Sequence, residues 1–290
     1  MSSSTRSSLL VHPRLAWLEG LPDGRAWLGE LPRVLEECVE QWSLRLEGPI
    51  GDGFGALVVA AGDAVLKLQF PHRESEHEAE ALRVWDGDGA VRLLAHDPER
   101  HALLIERARP GTHLTQVGQE PALDVFVELL PRLWKPAAAP FRPLAEEAAW
   151  WIDYLPRSWE HVGRPFERAL LDSAIGMLRE LSATQGEQVL LDQDLHADNV
   201  LSAEREPWLV IDPQPLAGER EFAVAPLVRG YELGHSKRAT LRRFDRITSE
   251  LGLDRERARG WTIAQTAAWT WDSDYSLRHV ETARWLLEGA

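Results

Sequence analysis

The stretch LDQDLHADNVLSAEREPWLVIDP, residues 191–213, sets three carboxylates, a histidine and an asparagine into its first eleven positions and then ends an apolar run on a fourth aspartate. Asp192, Asp194, His196 and Asp198 alternate, so an extended strand would put them on one face like a cluster of metal ligands. An exposed acidic turn is the plainer reading of an isolated D-x-D. Spacing weighs against both. Asn199 follows Asp194 by five residues, apolar Val200 and Leu201 come next, and thirteen residues after Asn199 the run LVID closes on Asp212. An Asp that accepts a hydroxyl proton, an Asn five residues on that binds Mg²⁺ and a strand-end Asp that binds Mg²⁺ form the recurring arrangement of phosphoryl transfer. Asp194 is thereby the candidate catalytic residue and Asn199 and Asp212 the candidate metal ligands, while His196 and Asp198 shape the loop.

That arrangement requires a phosphate cradle, a cation and a nucleotide edge upstream. GPIGDGFGALVVAAGDAVLKL places Gly48, Gly51, Gly53 and Gly55 between strand-like segments, where backbone N–H groups approach phosphates closely. A hairpin turn is the alternative. The residues after the glycines are β-rich rather than helical, and no G-K-[ST] ends the loop, so neither a dinucleotide fingerprint nor a nucleoside-triphosphatase loop fits. Lys67, in AVLKLQF, shares a strand face with Val65 and Gln69, and Leu66, Leu68 and Phe70 take the core face. A solvated strand lysine is the bland reading; a cation on the nucleotide phosphates is the chemical one. Of the acids in RESEHEAEALRVW, Glu78 lies beside the packed stripe of Ala81, Leu82 and Val84 and is the expected partner of Lys67, with Glu74 in reserve. HALLIERARPG ends a strand at Glu106 to Ala108 before Pro110 and Gly111, where backbone groups of Glu106 and Ala108 can meet an adenine edge.

The periodicity around these motifs predicts two regions. Residues 1–106 read as a β-rich lobe with residues 1–8 as a disordered lead, 107–112 as a hinge, and 113–290 as a mostly helical lobe. A helix over Arg25–Trp42 comes first, then strands in WSLRLEG, GALVVAAG and DAVLKLQF, a helix in SEHEAEALRVWDG, and strands in GAVRLLAHD and HALLIERA. Downstream, LDVFVELLPRLW, LAEEAAWWIDYL, FERALLDSAIGMLRELSAT, WTIAQTAAWTW and HVETARWLLEG carry helical spacing, KPAAAPFRP is a loop, and residues 188–213 suggest a small hairpin among helices.

Composition bounds the function. The chain has 290 residues, a formal charge of −14 and one cysteine, Cys38. A single cysteine excludes an internal disulfide framework and a cysteine zinc site. Dispersed Lys and Arg in an acidic chain argue against a nucleic-acid partner and favour a cationic small ligand. Neither a signal-peptide pattern nor a run of about eighteen apolar residues occurs, so a cytoplasmic monomer without a membrane partner is expected.

Taken together, the segments LDQDLHADNVLSAEREPWLVIDPQPLAGEREF, VLKLQFPHRESEHEAEALRVWDGDGAVRLL and LLIERARPGTHL resemble the aminoglycoside phosphotransferases, and within them the streptomycin 6-phosphotransferase and hydroxyurea phosphotransferase group. The resemblance runs from about Trp27 to the C-terminus. It implies an α+β, two-lobed protein-kinase-like fold, with an N-terminal antiparallel sheet and helix and a mostly helical C-terminal lobe. It also implies ATP at the hinge, Mg²⁺ on Asn199 and Asp212, a Lys67–Glu78 ion pair on the phosphates, and transfer of the γ-phosphoryl group to an acceptor hydroxyl beside Asp194. The implied acceptor is an aminoglycoside such as streptomycin, and the alternatives are hydroxyurea, an amino sugar, or a catalytically weak ATP-binding regulator. Three positions depart from the family pattern. Asp192 stands where His is usual, Ala223 where an Asp braces the catalytic loop, and Gln214 where Lys or Glu is common. Acceptor-site carboxylates are sought among Asp153, Glu219, Glu221, Asp272 and Asp274, and a stacking wall among Trp150, Trp151, Trp269 and Trp271, each with a surface or packing role as the plainer reading. A metallohydrolase on Asp192, Asp194 and His196 is the remaining alternative.

Overall fold

Val65 to Phe70 form the centre of the first part of the chain, and all six residues are buried. The plainer reading of Lys67 as a solvated strand lysine therefore does not hold. Strand β3 (Ala64–Gln69) has neighbours on both sides and cover on both faces, as a central strand must. It shares a sheet with β1 (Gly48–Pro49), β2 (Ala56–Ala61), β4 (Leu93–Asp97) and β5 (Ala102–Glu106), in the antiparallel order β1-β2-β3-β5-β4, and pairs directly with β2 and β5. Lys67 is in register with Val58 on one side and Leu103 on the other. Of WSLRLEG only its last residue enters a strand, β1, which ends at Pro49 on the sheet edge, where a missing N–H is tolerated.

The computed structural model describes residues 13–50, 55–137, 139–270 and 276–289, so the lead at 1–8 lies outside them. The chain divides into two compact units, Met1–Gly111 and Thr112–Ala290. In the first, helix α1 (Pro22–Gln41) lays Leu31, Leu35 and Cys38 on the sheet face made by Leu57, Val59, Leu66, Leu68 and Phe70. The apolar positions of α1 recur at helical spacing and those of β2 and β3 at two, so the two stripes meet. Helix α2 (Glu78–Trp85) buries Glu78, Ala79, Ala81, Leu82 and Trp85.

Strand β6 (Pro110–His113) carries the chain across the boundary. Gly111 sits there at φ +76°, and a Cβ on it would stand 3.1 Å from the Ala108 carbonyl oxygen, so only glycine makes the turn without strain.

The second unit is mostly helical: α3 (Gln119–Leu133), α4 (Leu144–His161), α5 (Arg168–Ala183), α6 (Val224–Arg229), α7 (Lys237–Glu250), α8 (Arg255–Ala268) and α9 (Ser276–Glu288). Helix α8 is buried along almost every residue from Ala258 to Ala268, which marks it as the axis of this unit. It approaches α5 so closely at Gly260 that a Cβ there would lie 2.8 Å from Leu181 Cδ1. Helix α7 escapes the periodicity reading because its buried face carries Thr240, Arg243 and Thr248 beside Phe244 and Ile247. Its N-terminus is capped by Ser236, whose hydroxyl oxygen accepts the Ala239 N–H at 3.2 Å.

The small hairpin expected over 188–213 is present in its second half, while the first apolar run pairs outside the segment. Strand β7 (Val189–Asp192) pairs with β10 (Pro215–Gly218), and β8 (Val200–Ala203) pairs with β9 (Trp208–Val210). The polar segment between β7 and β8 bonds to itself and to helices instead of turning directly into a partner strand. Among the described residues no helix is long and apolar enough to cross a membrane.

Candidate active site

In the first unit the Lys67 ammonium lies 2.6 Å from Glu78 Oε2, with the two residues only 5% and 2% exposed. Glu74 instead sits in a short 3-10 turn, 3.9 Å from the His72 ring. The same Glu78 oxygen accepts the Gln69 Nε2 amide at 2.6 Å. Gln69 was missed as a site residue, although its i+2 spacing from Lys67 put it on the same strand face. Two donors on one carboxylate oxygen hold the acid rigidly, and the ion pair offsets the desolvation of both charges.

Gly51 and Gly53 lie outside the described residues. Gly55 stands at the entry to β2 with its carbonyl bonded to Phe70 N at 2.8 Å, and a Cβ would come within 3.3 Å of His72 Nε2. Glu106 closes β5. Its N–H donates to the Arg92 carbonyl at 2.8 Å and its carboxylate accepts the Arg92 N–H at 3.1 Å, which pins the strand end before Ala108.

In the second unit, the segment from β7 to β8 is tied together from within. Oδ1 of Asp192 accepts two backbone N–H groups, from Asp194 and Gln214, each at 3.0 Å. Asn199 Nδ2 donates to the Asp194 carbonyl at 3.1 Å, and the Asn199 carbonyl accepts Ile211 N at 2.9 Å, next to Asp212. Asp194, Asn199 and Asp212 are therefore brought into one place by short-range bonds. Asp212 has φ +54°, a left-handed conformation that non-glycine residues adopt sparingly and that concentrates at ligand-binding positions.

The Asp194 carboxylate is gripped from two sides. Arg229, the last residue of α6, donates Nη2 to Oδ1 at 2.7 Å, and Gln214 Nε2 reaches Oδ2 at 3.3 Å. His196 Nε2 lies 3.8 Å from Oδ2. Burial raises the Asp194 pKa above the usual carboxylate range, while His196 and Arg229 pull against it. Arg229 had no signal in the spacing of the motif, because it stands thirty-five residues downstream.

Asp192 is buried, at 5% exposure, and burial pushes its pKa well up, with Asp194 and Asp212 adding to the effect. Its role is visible in the geometry: it occupies the base of the loop as a hydrogen-bond acceptor. Ala223 is buried, and the bracing bonds come from elsewhere. Gln265 of α8 donates Nε2 to the Gln193 carbonyl at 2.8 Å, and Glu232 Oε1 accepts Ala197 N at 3.1 Å.

Asn199 and Asp212 both offer oxygen, the donor Mg²⁺ prefers, and two such side chains with several positions left for phosphate and water are a usual Mg²⁺ complement. Asn199 turns its amide nitrogen to the Asp194 carbonyl, which directs its oxygen away from that bond. The residues fit the ion. Among the described residues no group of three His, Cys, Asp or Glu side chains is placed to hold a metal by itself, so the hydrolase cluster of Asp192, Asp194 and His196 does not form.

The acceptor-site candidates separate. Glu219 is buried and holds Arg257 (2.7 Å), Trp261 Nε1 (2.5 Å) and Gly186 N (3.1 Å), so it is a packing carboxylate and the acceptor role is corrected. Asp153 pairs with Arg157 on its own exposed helix face, and Glu221 lies 3.4 Å from Asp254 N. Trp150 stacks on Tyr154 and Trp151 is buried against Phe222, whereas Trp269 lies under the Arg229 guanidinium, 3.8 Å from ring centroid to Cζ. Asp272, Asp274 and Trp271 lie outside the described residues.

Comparison with known proteins agrees with this arrangement. Residues 41–274 match the family model described as aminoglycoside/hydroxyurea antibiotic resistance kinase. The chain is 40% identical over 274 residues to a streptomycin 6-kinase of Streptomyces griseus, covering 90% of this chain and 89% of the relative. It is 41% identical over 274 residues to a hydroxyurea phosphotransferase of Kitasatospora aureofaciens, covering 90% and 79%. In fold it is similar to the choline kinase LicA of Streptococcus pneumoniae, with TM-score 0.63, 13% identity, and 89% and 99% coverage. It is also similar to the aminoglycoside phosphotransferase APH(4)-Ia, with TM-score 0.62, 16% identity, and 90% and 99% coverage. A protein-kinase-like fold with an antiparallel N-terminal sheet, matched over most of its length by such relatives, means that this chain belongs to the aminoglycoside/hydroxyurea antibiotic resistance kinase family.

Proposed function

We propose that the protein is an ATP-dependent small-molecule kinase that moves the γ-phosphoryl group of ATP to a hydroxyl of a cationic aminoglycoside such as streptomycin, in the cytoplasm and as a monomer. The observation that carries this reading is the Asp194 carboxylate held by Arg229, with Asn199 and Asp212 beside it, in a chain 40% identical to a streptomycin 6-kinase.

In this mechanism Asp194 accepts a hydrogen bond from the acceptor hydroxyl, aligns its oxygen on phosphorus and takes its proton as the new P–O bond forms and the bond to the leaving diphosphate breaks. Lys67, oriented by Glu78 and Gln69, meets the nucleotide phosphates as a point charge. Asn199 and Asp212 would hold Mg²⁺, which when bound would supply charge neutralisation on the phosphate oxygens. Gly51, Gly53 and Gly55 are assigned to the phosphate cradle, and the main chain at Glu106 and Ala108 to the adenine edge. The protein contributes position and field, with no covalent intermediate.

Hydroxyurea is the second acceptor to test, on the strength of the 41% identity to a hydroxyurea phosphotransferase. Against the regulator reading, which Ala223 and Asp192 motivate, stand the bonds of Gln265 and Glu232 to the loop and the two backbone N–H groups that Asp192 accepts. The experiment is acceptor-dependent ADP release from MgATP with streptomycin, other aminoglycosides, amino sugars and hydroxyurea. Turnover with streptomycin and its loss in Asp194→Asn supports the proposal; ADP release with none of the panel overturns it.

A further inference from the structure

The Asp194 carboxylate does not stand alone on its loop. Arg229 Nη2 meets Oδ1 at 2.7 Å, and the guanidinium that makes this bond is itself only 5% exposed. Its plane is fixed by the Trp269 indole, whose ring centroid is 3.8 Å from Cζ. Trp269 closes α8 and is fixed in turn by α9, since its carbonyl lies 2.9 Å from His279 Nδ1. Burial, reinforced by Arg229, pushes the pKa of that imidazole down to about 4, so it is neutral and donates Nδ1–H to the carbonyl. A chain of contacts therefore runs from α9 through Trp269 and Arg229 to Asp194.

We propose that Arg229, stacked on Trp269, is the positioning residue of the catalytic aspartate. It holds Oδ1 and leaves Oδ2 as the oxygen presented to the acceptor hydroxyl. A guanidinium suits this task better than an ammonium, because its flat face packs on an aromatic ring while its edge donates in a fixed direction. Oδ2 keeps accepting capacity beside the 3.3 Å bond from Gln214, since a carboxylate oxygen takes two hydrogen bonds. The inference rests on the reading of Asp194 as the catalytic residue.

The test is a double-mutant cycle on the full chain, with MgATP and streptomycin. Arg229→Gln and Trp269→Leu are expected to lower kcat by about 100-fold, the cost of a misplacement near 1 Å, with both KM values within about threefold of the parent. Arg229→Lys keeps the charge and recovers about tenfold of that loss. In an Asp194→Asn background the same changes are expected to move the residual rate by less than about threefold, because their effect passes through that carboxylate. Undiminished losses in that background, or losses carried by KM, overturn the inference while leaving the proposed function intact. Parental kcat in Asp194→Asn alone overturns the reading of Asp194 itself. Should Arg229→Gln fail to fold, Trp269→Leu, which keeps the ion pair and removes only the ring beneath it, decides the matter.

Discussion

Oδ1 of Asp192 accepts the backbone N–H of Asp194 at 3.0 Å, and the same oxygen accepts Gln214 N at the same distance. The Asp192 carboxylate thus ties the start of the loop to the turn after Asp212. It serves there as an acceptor, and an amide oxygen can do the same. Asp192→Asn is expected to keep kcat within about threefold of the parent, whereas Asp192→Ala, which strands two buried N–H groups at about 1–3 kcal/mol each, lowers both kcat and the unfolding midpoint. Steady-state kinetics and urea melts of the two variants check this.

Lys67 and Glu78 form a buried pair at 2.6 Å. Lys67→Met is expected to lower kcat/KM for ATP by about 10²–10³-fold, the usual cost of losing one charge-stabilising donor, with the acceptor KM little changed. Gln69→Leu removes the second donor to Glu78 Oε2 and is expected to cost about tenfold in the same parameter. ADP-release kinetics with ATP as the varied substrate read both.

Gln265 replaces a side-chain brace that the motif itself lacks. Its amide bonds the Gln193 carbonyl at 2.8 Å across seventy-two residues. Gln265→Leu is expected to cost about 1–3 kcal/mol of stability and to lower kcat more than either KM. Equal stability in a urea titration would refute the brace.

Glu219 holds Arg257 and Trp261 inside the second unit. Glu219→Ala leaves the partly exposed Arg257 guanidinium without its carboxylate and the buried Trp261 indole N–H without its acceptor, and the expected loss is about 1–3 kcal/mol, that of a buried donor left unsatisfied. Denaturant unfolding measures it. An increase in the streptomycin KM without loss of stability would instead restore Glu219 to an acceptor role.

His279 makes stability depend on pH. Its folded pKa of about 4 lies below the 6.5 of a free imidazole, so between those values the unfolded chain binds a proton that the folded chain does not. This contribution is complete above about pH 6.5 and is lost as pH falls towards 4, with about 2 kcal/mol gone by pH 5. Urea melts at pH 7.5 and pH 5 should show that slope in the parent and a flatter one in His279→Gln.

Much of this site was legible because its parts are near neighbours in the chain. Asn199 is hydrogen-bonded to Asp194 and to Ile211, the neighbour of Asp212, within a span of nineteen residues, so their spacing alone carried the geometry. Glu78 was separable from Glu74 because the apolar stripe of a helix says which acid turns inward. The β7–β10 pairing and helix α7 were not legible. A strand picks its partner by which edge the surrounding helices leave open, and α7 buries Arg243 where a periodicity count looks for an apolar residue.

The sequence by itself determined the kinase-like order of elements, the Lys67–Glu78 pairing and the placing of Asp194 with Asn199 and Asp212, because local periodicity and short loops leave those few alternatives. Only the tertiary structure decided what grips Asp194. Arg229, Gln265 and Trp269 are thirty-five to seventy-five residues downstream of it. They reach the loop because α6, α8 and α9 pack around a common core, and that packing is a property of side-chain volumes summed over three helices, which no spacing within one motif encodes.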